Sequence, residues 1–217
     1  MASPAAALYK LQDAGVFPGP ARRVSLLAAM DVSRSKASAA MARYADGDAG
    51  AFGVLYTELA PQLTRYLKRS VRDPHAVGDL LQQAFMQLHL SRGRFVPGAR
   101  VEPWAYAITR AVAMEWLRRD YRRRGRELDD EHAVLVSAEN PHDDVSAGEL
   151  GEALRAELAA LSPKLREAFL LVRLDGLTHA EAAEVLGIEE SATKVRTHRA
   201  TGWLRDKLAR FRPKEGP

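Results

Sequence analysis

The apolar residues of this 217-residue chain recur at steps of three and four, and this spacing most constrains its fold. An α-helix has about 3.6 residues per turn, so such spacing places apolar side chains on one helical face. From Asp48 onward the first apolar stripe consists of Phe52, Leu55, Tyr56, Leu59, Leu63, Tyr66 and Leu67. No stretch shows the apolar and polar alternation that a half-buried strand requires. The sequence therefore predicts an all-α protein.

Turn residues and charge divide the helical segments into two small domains. We predict a flexible N-terminal extension over 1–40, a helical bundle over 41–126, a flexible acidic linker over 127–149, a helix-turn-helix domain over 150–212 and a tail over 213–217. The bundle has 15 basic and 8 acidic residues, whereas the linker has 8 acidic residues and no Lys or Arg. This asymmetry indicates either a polyanion-binding face beside a self-repelling linker or two solvated faces and a disordered hinge.

Several function classes are excluded by what the sequence lacks. Cysteine is absent, which excludes a disulfide framework, a Cys-ligated zinc site and a thiol nucleophile. The six His have no metal-ligand spacing, and no catalytic triad, Gly-rich phosphate loop or paired-carboxylate motif stands out. No apolar run approaches the ~20 residues that span a bilayer. We predict a soluble, cytoplasmic protein without membrane insertion, which is not an enzyme and has no catalytic residues, metal or cofactor.

The most specific local pattern is a helix-turn-helix within 176–208. Thr178-His179-Ala180-Glu181 has the form of a capping box, in which the two outer side chains satisfy backbone amides. Gly187-Ile188 then supplies a tight turn before a second, basic helix. Such a helix fits the major groove, where Lys194, Arg196 and Arg199 reach phosphates or guanine. The alternative is a plain helical hairpin with a solvated basic face.

Four segments together carry the pattern of one family. They are Gly47–Phe52 followed by Leu55-Tyr56, Asp79–Phe85 with the pattern D-x-x-Q-Q-x-F, Arg94-Phe95 through Pro103–Arg110, and Leu161–Leu208. In order and spacing they resemble the extracytoplasmic-function (ECF) group of bacterial sigma-70-type sigma factors. The resemblance covers about residues 44–124 and 150–210. It implies a subunit that binds core RNA polymerase and directs promoter recognition, melting and transcription initiation.

The resemblance implies that the helix containing Asp79 docks on the β′ coiled-coil helices of polymerase, and that the C-terminal domain meets the β flap. Asp79, Gln82 and Gln83 share one helical face because they lie at i, i+3 and i+4. Leu80 and Phe85 complete the implied polymerase-binding set, divided between this interface and the bundle core. Gln83 stands where the family usually has an acid.

The resemblance also implies two sets of contacts to promoter DNA. Melting requires rings and guanidinium planes on which exposed bases stack, at about 1–3 kcal/mol per base. The −10 set is Arg94, Trp104, Tyr106, Arg110, Trp116, Arg118, Arg119 and Arg122. The −35 set is Thr178, Ser191, Lys194, Arg196, His198 and Arg199. Trp104 and Trp116 also fit core positions.

Four other positions in the DNA-binding regions depart from the family pattern. Ala111 stands where the family commonly has Asn, and Glu115 stands where the family commonly has Asp or Asn. Thr193 and Thr197 replace hydrophobic residues of the recognition helix.

Two other functions remain open from the residues alone, and the family implies one further partner. A stand-alone helix-turn-helix regulator would bind duplex operators and would not use the segment Asp79–Phe85. A helical adaptor that binds only protein would not need the basic cluster Arg118–Arg126 or the basic recognition helix. The resemblance additionally implies an anti-sigma protein that covers the polymerase-binding face.

Overall fold

A computed structural model of the protein describes residues 35–71, 73–125 and 149–211. These residues form eight α-helices and two 3₁₀ turns without any strand, which confirms the all-α prediction. The helices are α1 (Lys36–Ala45), α2 (Ala51–Ser70), α3 (Ala76–Leu90), α4 (Val101–Arg123), α5 (Glu149–Ala160), α6 (Pro163–Arg173), α7 (His179–Leu186) and α8 (Glu190–Lys207). The 3₁₀ turns are Arg92–Arg94 and Ala209–Phe211. The predicted tail, nearly all of the predicted linker and most of the predicted N-terminal extension lie outside the described residues.

Helices α1 to α4 form a bundle whose core contains most of the predicted apolar stripe, although Phe52 is half-buried and Tyr56 is exposed. Leu55, Leu59, Leu63 and Leu67 follow one another along α2, and all four are fully buried. Helix α1 packs along α2, while α3 and α4 pack on each other and on α2. Burial of one leucine side chain contributes about 1.5–3 kcal/mol, so this stripe is a major source of the bundle's stability.

The bundle begins at Lys36, before the boundary predicted at residue 41. The Ser35 hydroxyl caps α1 by accepting a hydrogen bond from the Ser38 amide at 3.0 Å. Ala37 and Ala40 are buried in the bundle core. The segment 36–40, predicted as part of the flexible extension, therefore belongs to the bundle. Its small side chains form no large apolar stripe that would mark it in the sequence.

Helices α5 to α8 form a second unit with a small core of its own. Leu158 near the end of α5 and Leu161 just after it share a core with Leu170 of α6, and Ala200 and Leu204 of α8 complete this core. Helices α6, α7 and α8 contact one another, and α5 packs on α8.

A buried arginine joins α5 to α6. Arg166 Nη2 donates to the carbonyl oxygens of Ala159 and Leu161 at 2.7 and 2.8 Å. Carbonyl groups at the C-terminal end of a helix have no intrahelical donor. The Arg166 guanidinium supplies the missing hydrogen-bond donor at the end of α5. Burial lowers the pKa of the Arg166 guanidinium.

The two units, predicted as domains on a tether, pack against each other. Helix α4 contacts α7, and the bundle core includes six buried apolar residues from the C-terminal unit. They are Ala168, Leu171, Leu177, Ala182, Val185 and Leu186. The apolar periodicity of each helix gives its buried face but not its partner, which is why the sequence does not predict this contact.

Candidate protein and nucleic-acid interfaces

One side of α3 presents polar residues to solvent. Asp79, Gln82 and Gln83 are exposed and share this side of the helix. Leu80 and Phe85, which were predicted with them, are 1% and 4% exposed and lie in the bundle core. Within this arrangement the two apolar residues hold α3 in place, and the three polar residues are free to meet a partner.

Two exposed apolar side chains extend the same surface: Met86, which was not among the predicted residues, and Tyr56, which was predicted as part of the apolar stripe. Met86 is 49% exposed one turn after Gln83. Tyr56 of α2 is 45% exposed, and its ring centroid lies 4.7 Å from that of Phe85. Exposed apolar area next to polar groups is typical of protein interaction sites. Met86 lies at i+7 from Asp79, and this spacing in the sequence places it on the same helical face as Asp79, Gln82 and Gln83. We call Asp79, Gln82, Gln83 and Met86 the α3 face.

Exposed basic residues lie in the 3₁₀ turn before α4 and in the last turns of that helix. Arg94, Arg118, Arg119 and Arg122 are all exposed. Glu115 accepts from Arg119 Nε at 2.9 Å and lies 3.8 Å from Arg122 Nη2. Exposed ion pairs contribute less than about 1 kcal/mol, so phosphate groups are able to displace this carboxylate.

The aromatic residues predicted to contact −10 DNA differ in exposure. Trp104 and Trp116 are half-buried against the bundle core, and the Trp104 ring lies 5.7 Å from the Phe95 ring. Tyr106 is fully buried. The structure thus leaves part of both indole rings accessible but encloses the phenol ring, because Tyr106 lies on the inner side of α4.

Arg110, also predicted to contact −10 DNA, is held by a carboxylate of the C-terminal unit. Its Nε donates to Glu167 Oε1 at 3.0 Å, and the Tyr66 hydroxyl donates to the same oxygen at 3.3 Å. The Glu167 side chain is 2% exposed and that of Arg110 is 20% exposed. Burial, reinforced by the charge of Glu167, raises the pKa of the Tyr66 hydroxyl well above its usual value. The phenol therefore stays protonated and remains a donor.

A second buried ion pair crosses between the two units next to the first. Arg69 of α2 binds Asp175, which follows α6, and both side chains are almost fully buried. The Arg69 guanidinium lies 5.1 Å from the centre of the Tyr66 ring, and the Tyr66 and Tyr106 rings meet edge to face at 5.4 Å. Burial, and then the charge of Asp175, raises the pKa of the Tyr106 hydroxyl.

The predicted capping box at the start of α7 is confirmed. The Thr178 hydroxyl accepts from the Glu181 amide at 3.2 Å, and the Glu181 carboxylate accepts from the Thr178 amide at 2.8 Å. Gly187 ends α7 with a φ of 67°, in the left-handed region that glycine adopts without strain. The Glu181 carboxylate also accepts from Arg100 Nη1 at 2.9 Å, which connects the helix-turn-helix to the bundle.

The first half of α8 presents a basic surface. Lys194 is exposed and forms an ion pair with Glu190 at 2.8 Å, and the hydrogen bond from Lys194 lowers the pKa of Glu190. Arg196 is half-buried, and Val195, which was not among the predicted residues, is 48% exposed. We call the exposed predicted residues Ser191, Lys194, His198 and Arg199 the recognition face.

Thr193 and Thr197, which replace hydrophobic residues of the family pattern, lie on the buried side of α8. They are 0% and 1% exposed. Thr193 Oγ1 donates to the Glu189 carbonyl at 3.5 Å, whereas Thr197 Oγ1 has no hydrogen-bond partner within the described part of the chain. The two threonines therefore act on packing and not on DNA directly.

Replacing Thr197 by valine is expected to raise the free energy of unfolding by about 1 kcal/mol. A buried hydroxyl without a partner costs about 1–3 kcal/mol, and valine fills the same volume without it. Urea denaturation followed by circular dichroism measures the change. Thr201→Val is the control, because the Thr201 hydroxyl already donates to the Thr197 carbonyl at 2.8 Å. An equal gain in both variants would contradict the explanation.

The described residues provide neither a metal-ligating cluster nor a membrane-spanning helix. No group of three His, Asp or Glu side chains there is placed to hold a metal ion. None of the described helices is both long enough and apolar enough to cross a membrane.

Comparisons with known proteins match both units. Residues 55–124 match Sigma-70 region 2, and residues 151–204 match Sigma-70, region 4. The chain is 33% identical over 168 residues to the RNA polymerase sigma factor CarQ of Myxococcus xanthus, covering 77% of this chain and 95% of that protein. It is 31% identical over 184 residues to the ECF RNA polymerase sigma factor SigF of Caulobacter vibrioides, covering 83% and 98%. The fold is similar to that of the sigma factor RpoE of Bartonella quintana, solved in complex with the anti-sigma factor NepR, with a TM-score of 0.55, 24% identity and coverage of 74% and 98%.

Proposed function

Because the chain belongs to the ECF group of sigma-70-type RNA polymerase sigma factors, we propose that it binds core RNA polymerase and directs it to promoters. The N-terminal bundle recognises and melts the −10 region, and α8 binds the −35 duplex. Polymerase forms the phosphodiester bonds, so this subunit contributes recognition and is not itself an enzyme. It acts in the bacterial cytoplasm, where its polymerase and promoters are found.

The observation that carries this proposal is the presence of two different interfaces on one chain. The α3 face combines a carboxylate, two amides and an exposed methionine, which suits a protein partner. The recognition face is basic and follows a capped turn, which suits duplex DNA. A stand-alone regulator has no use for the first surface, and a protein-binding adaptor has no use for the second.

We assign the −10 contacts according to exposure. The exposed arginines of the bundle bind backbone phosphates, and the half-buried rings of Trp104 and Trp116 offer stacking surfaces to unpaired bases. Arg110 and Tyr106 belong to the same set, but in this state Arg110 pairs with Glu167 of the C-terminal unit and Tyr106 is fully buried.

The partners follow from the same surfaces. The α3 face is assigned to the β′ coiled-coil helices of polymerase, and the C-terminal unit to the β flap. An anti-sigma factor is a further partner, since the RpoE structure of similar fold was solved with one. Such a protein would inhibit transcription by covering the α3 face.

Run-off transcription tests the proposal. Purified core polymerase is given a library of genomic promoters with and without this protein, and the transcript starts are sequenced. We expect a small set of new starts that share sequence upstream, at the −35 and −10 positions. The proposal fails if the protein adds no starts and does not associate with core polymerase, or if it binds operators tightly without polymerase.

Replacing Asp79, Gln82 and Gln83 together by alanine is expected to weaken core polymerase binding and run-off transcription by roughly tenfold, equivalent to about 1.4 kcal/mol. The three side chains are exposed, so their loss removes interface contacts without opening the bundle core. Co-sedimentation and transcription measure the effect, and circular dichroism checks the fold. The control replaces Lys36, Asp46 and Glu58, which are exposed elsewhere on the bundle. Wild-type activity in the α3-face variant would remove this surface from the polymerase interface.

A further inference from the structure

We propose that Val195 selects a thymine in the −35 element by packing its apolar branches against the 5-methyl group of that base in the major groove. The proposal rests on the proposed function, because it assumes that α8 enters the −35 duplex. Val195 is the one large apolar side chain exposed on the first half of α8, a helix that the structure describes in full. The proposal assigns this side chain one chemical group of one base.

Val195 lies at the centre of the outward side of α8. Successive residues of an α-helix are about 100° apart around its axis. Val195 therefore faces directly away from the buried side of α8, and its neighbours at i−4 and i+3, Ser191 and His198, are exposed as well. The residues of that buried side are Thr193, Thr197, Ala200 and Leu204. When α8 lies in the major groove, Val195 consequently meets the edges of the base pairs.

Basic side chains flank Val195 on both sides. Lys194 lies about 100° around the helix in one direction and Arg199 about 40° in the other, and both are exposed. Positive side chains in these places attract the phosphates that border the major groove. An apolar group between two cations suits a duplex, because phosphates there border a groove floor that includes apolar thymine methyl groups.

The folded protein gains little from a valine at position 195. Branching at Cβ restricts the side chain within a helix, so valine has a lower helix propensity than alanine. The side chain is 48% exposed and therefore buries little apolar area within the fold. Single exposed apolar residues are common on protein surfaces. Val195 differs from them in its place at the centre of a basic helix face, where its apolar branches are available to DNA.

Valine distinguishes bases through apolar contact alone. Its side chain has no hydrogen-bond donor or acceptor, and thymine is the one base of the four with a methyl group in the major groove. Cytosine presents an amino donor there, and both purines present an acceptor nitrogen. Covering such a polar group with valine removes its water without replacing the hydrogen bond, which is unfavourable. Val195 therefore favours thymine over the other bases.

The helix geometry also limits where the selected thymine lies. Val195 and Arg199 are four residues apart, which corresponds to about 6 Å along the axis of α8. Two base-pair steps of the duplex cover a similar distance, at about 3.4 Å each. We expect the thymine within two base pairs of the position that Arg199 contacts, on either strand.

Uracil substitution tests the proposal, because uracil differs from thymine by the 5-methyl group alone. Each thymine of a −35 duplex from an identified promoter is replaced singly by deoxyuridine, and holoenzyme binding is measured by fluorescence anisotropy. We expect replacement of one thymine to weaken binding by roughly fourfold, equivalent to about 0.8 kcal/mol for one buried carbon group. The other replacements should change binding by less than about twofold.

Val195→Ala connects this thymine to the protein. The variant should lose most of the discrimination at the sensitive thymine and keep the parent's response at the others. Its fold is checked by circular dichroism. The matched control is Val54→Ala, which makes the same change at a valine of α2 that is 44% exposed, and it should reproduce the parent's response at every position. Equal sensitivity of the parent and Val195→Ala at that thymine would overturn the proposal, as would a duplex with no sensitive thymine.

Methylated cytosine separates contact with the methyl group from an effect of uracil on the shape of the duplex. The sensitive pair is changed to C·G, with and without a 5-methyl group on the cytosine. Methylation should tighten binding of the parent severalfold and should have little effect on Val195→Ala. A loss with uracil but no gain with 5-methylcytosine would assign the effect to DNA shape and overturn the contact. Holoenzyme that binds no promoter duplex would instead overturn the proposed function.

Discussion

Replacing Lys194 and Arg199 by alanine is expected to weaken holoenzyme binding to a −35 duplex by roughly 100-fold. Both side chains are exposed on the recognition face, in the first half of α8 and within two turns of each other. A good contact from such a position to a base or phosphate contributes about 1–3 kcal/mol, and two of them account for the expected loss. Fluorescence anisotropy with a duplex from an identified promoter measures the change.

The salt dependence of binding separates the two kinds of contact. Loss of one phosphate contact should reduce the slope of log K against log salt by about 1, whereas loss of a base contact relaxes sequence preference. The control replaces Arg205 and Lys207, which are basic and exposed at the far end of the same helix. If the Lys194 and Arg199 variant binds as tightly as this control, the recognition face is wrongly placed.

Replacing Arg166 by methionine is expected to lower the free energy of unfolding by about 2–4 kcal/mol. Methionine keeps an apolar stem but leaves the carbonyls of Ala159 and Leu161 without their donor. Removing a charged donor from a buried acceptor costs more free energy of folding than removing the donor of an ordinary, neutral hydrogen bond. Because α5 reaches α6 through this guanidinium, the loss should first appear as weaker protection of α5 amides in hydrogen exchange.

Two comparison variants isolate the role of the Arg166 guanidinium. Arg173→Met makes the same change at an exposed position of α6 and should be nearly neutral. Arg166→Lys keeps the charge but not the planar fork, so it should rescue only part of the loss. Equal stability of Arg166→Met and Arg173→Met would contradict this role, because it would mean that the carbonyls of Ala159 and Leu161 accept hydrogen bonds from water when the guanidinium is absent.

The features that the sequence predicted correctly depend on neighbouring residues. The capping box of Thr178 and Glu181 involves residues three apart, and the left-handed turn at Gly187 depends on one residue. The same is true of α3, where the spacing of Asp79, Gln82 and Gln83 was sufficient to place them on one exposed side. Local physical chemistry determines these features, so one sequence reveals them.

The features that the sequence did not predict depend on distant residues. Arg110 and Glu167 are 57 positions apart, and Arg69 and Asp175 are 106 apart. Many Arg and acidic residues of the chain have the same local pattern, so nothing in the sequence selects these pairs. Ala37 and Ala40 were missed for a related reason, since small residues pack closely without forming an apolar stripe. Tyr106 shows the same limit, because its buried ring packs on Tyr66, which lies 40 positions earlier in the chain.

The completion of the bundle core by residues from the last third of the chain has a consequence during synthesis. The ribosome releases α1 to α4 before α6 and α7 have been made. At about 5–20 residues per second, the stretch from Gly125 to Leu186 takes roughly 3–12 s to translate. For that interval the nascent bundle exposes an aromatic, basic surface around Tyr66 and Arg69.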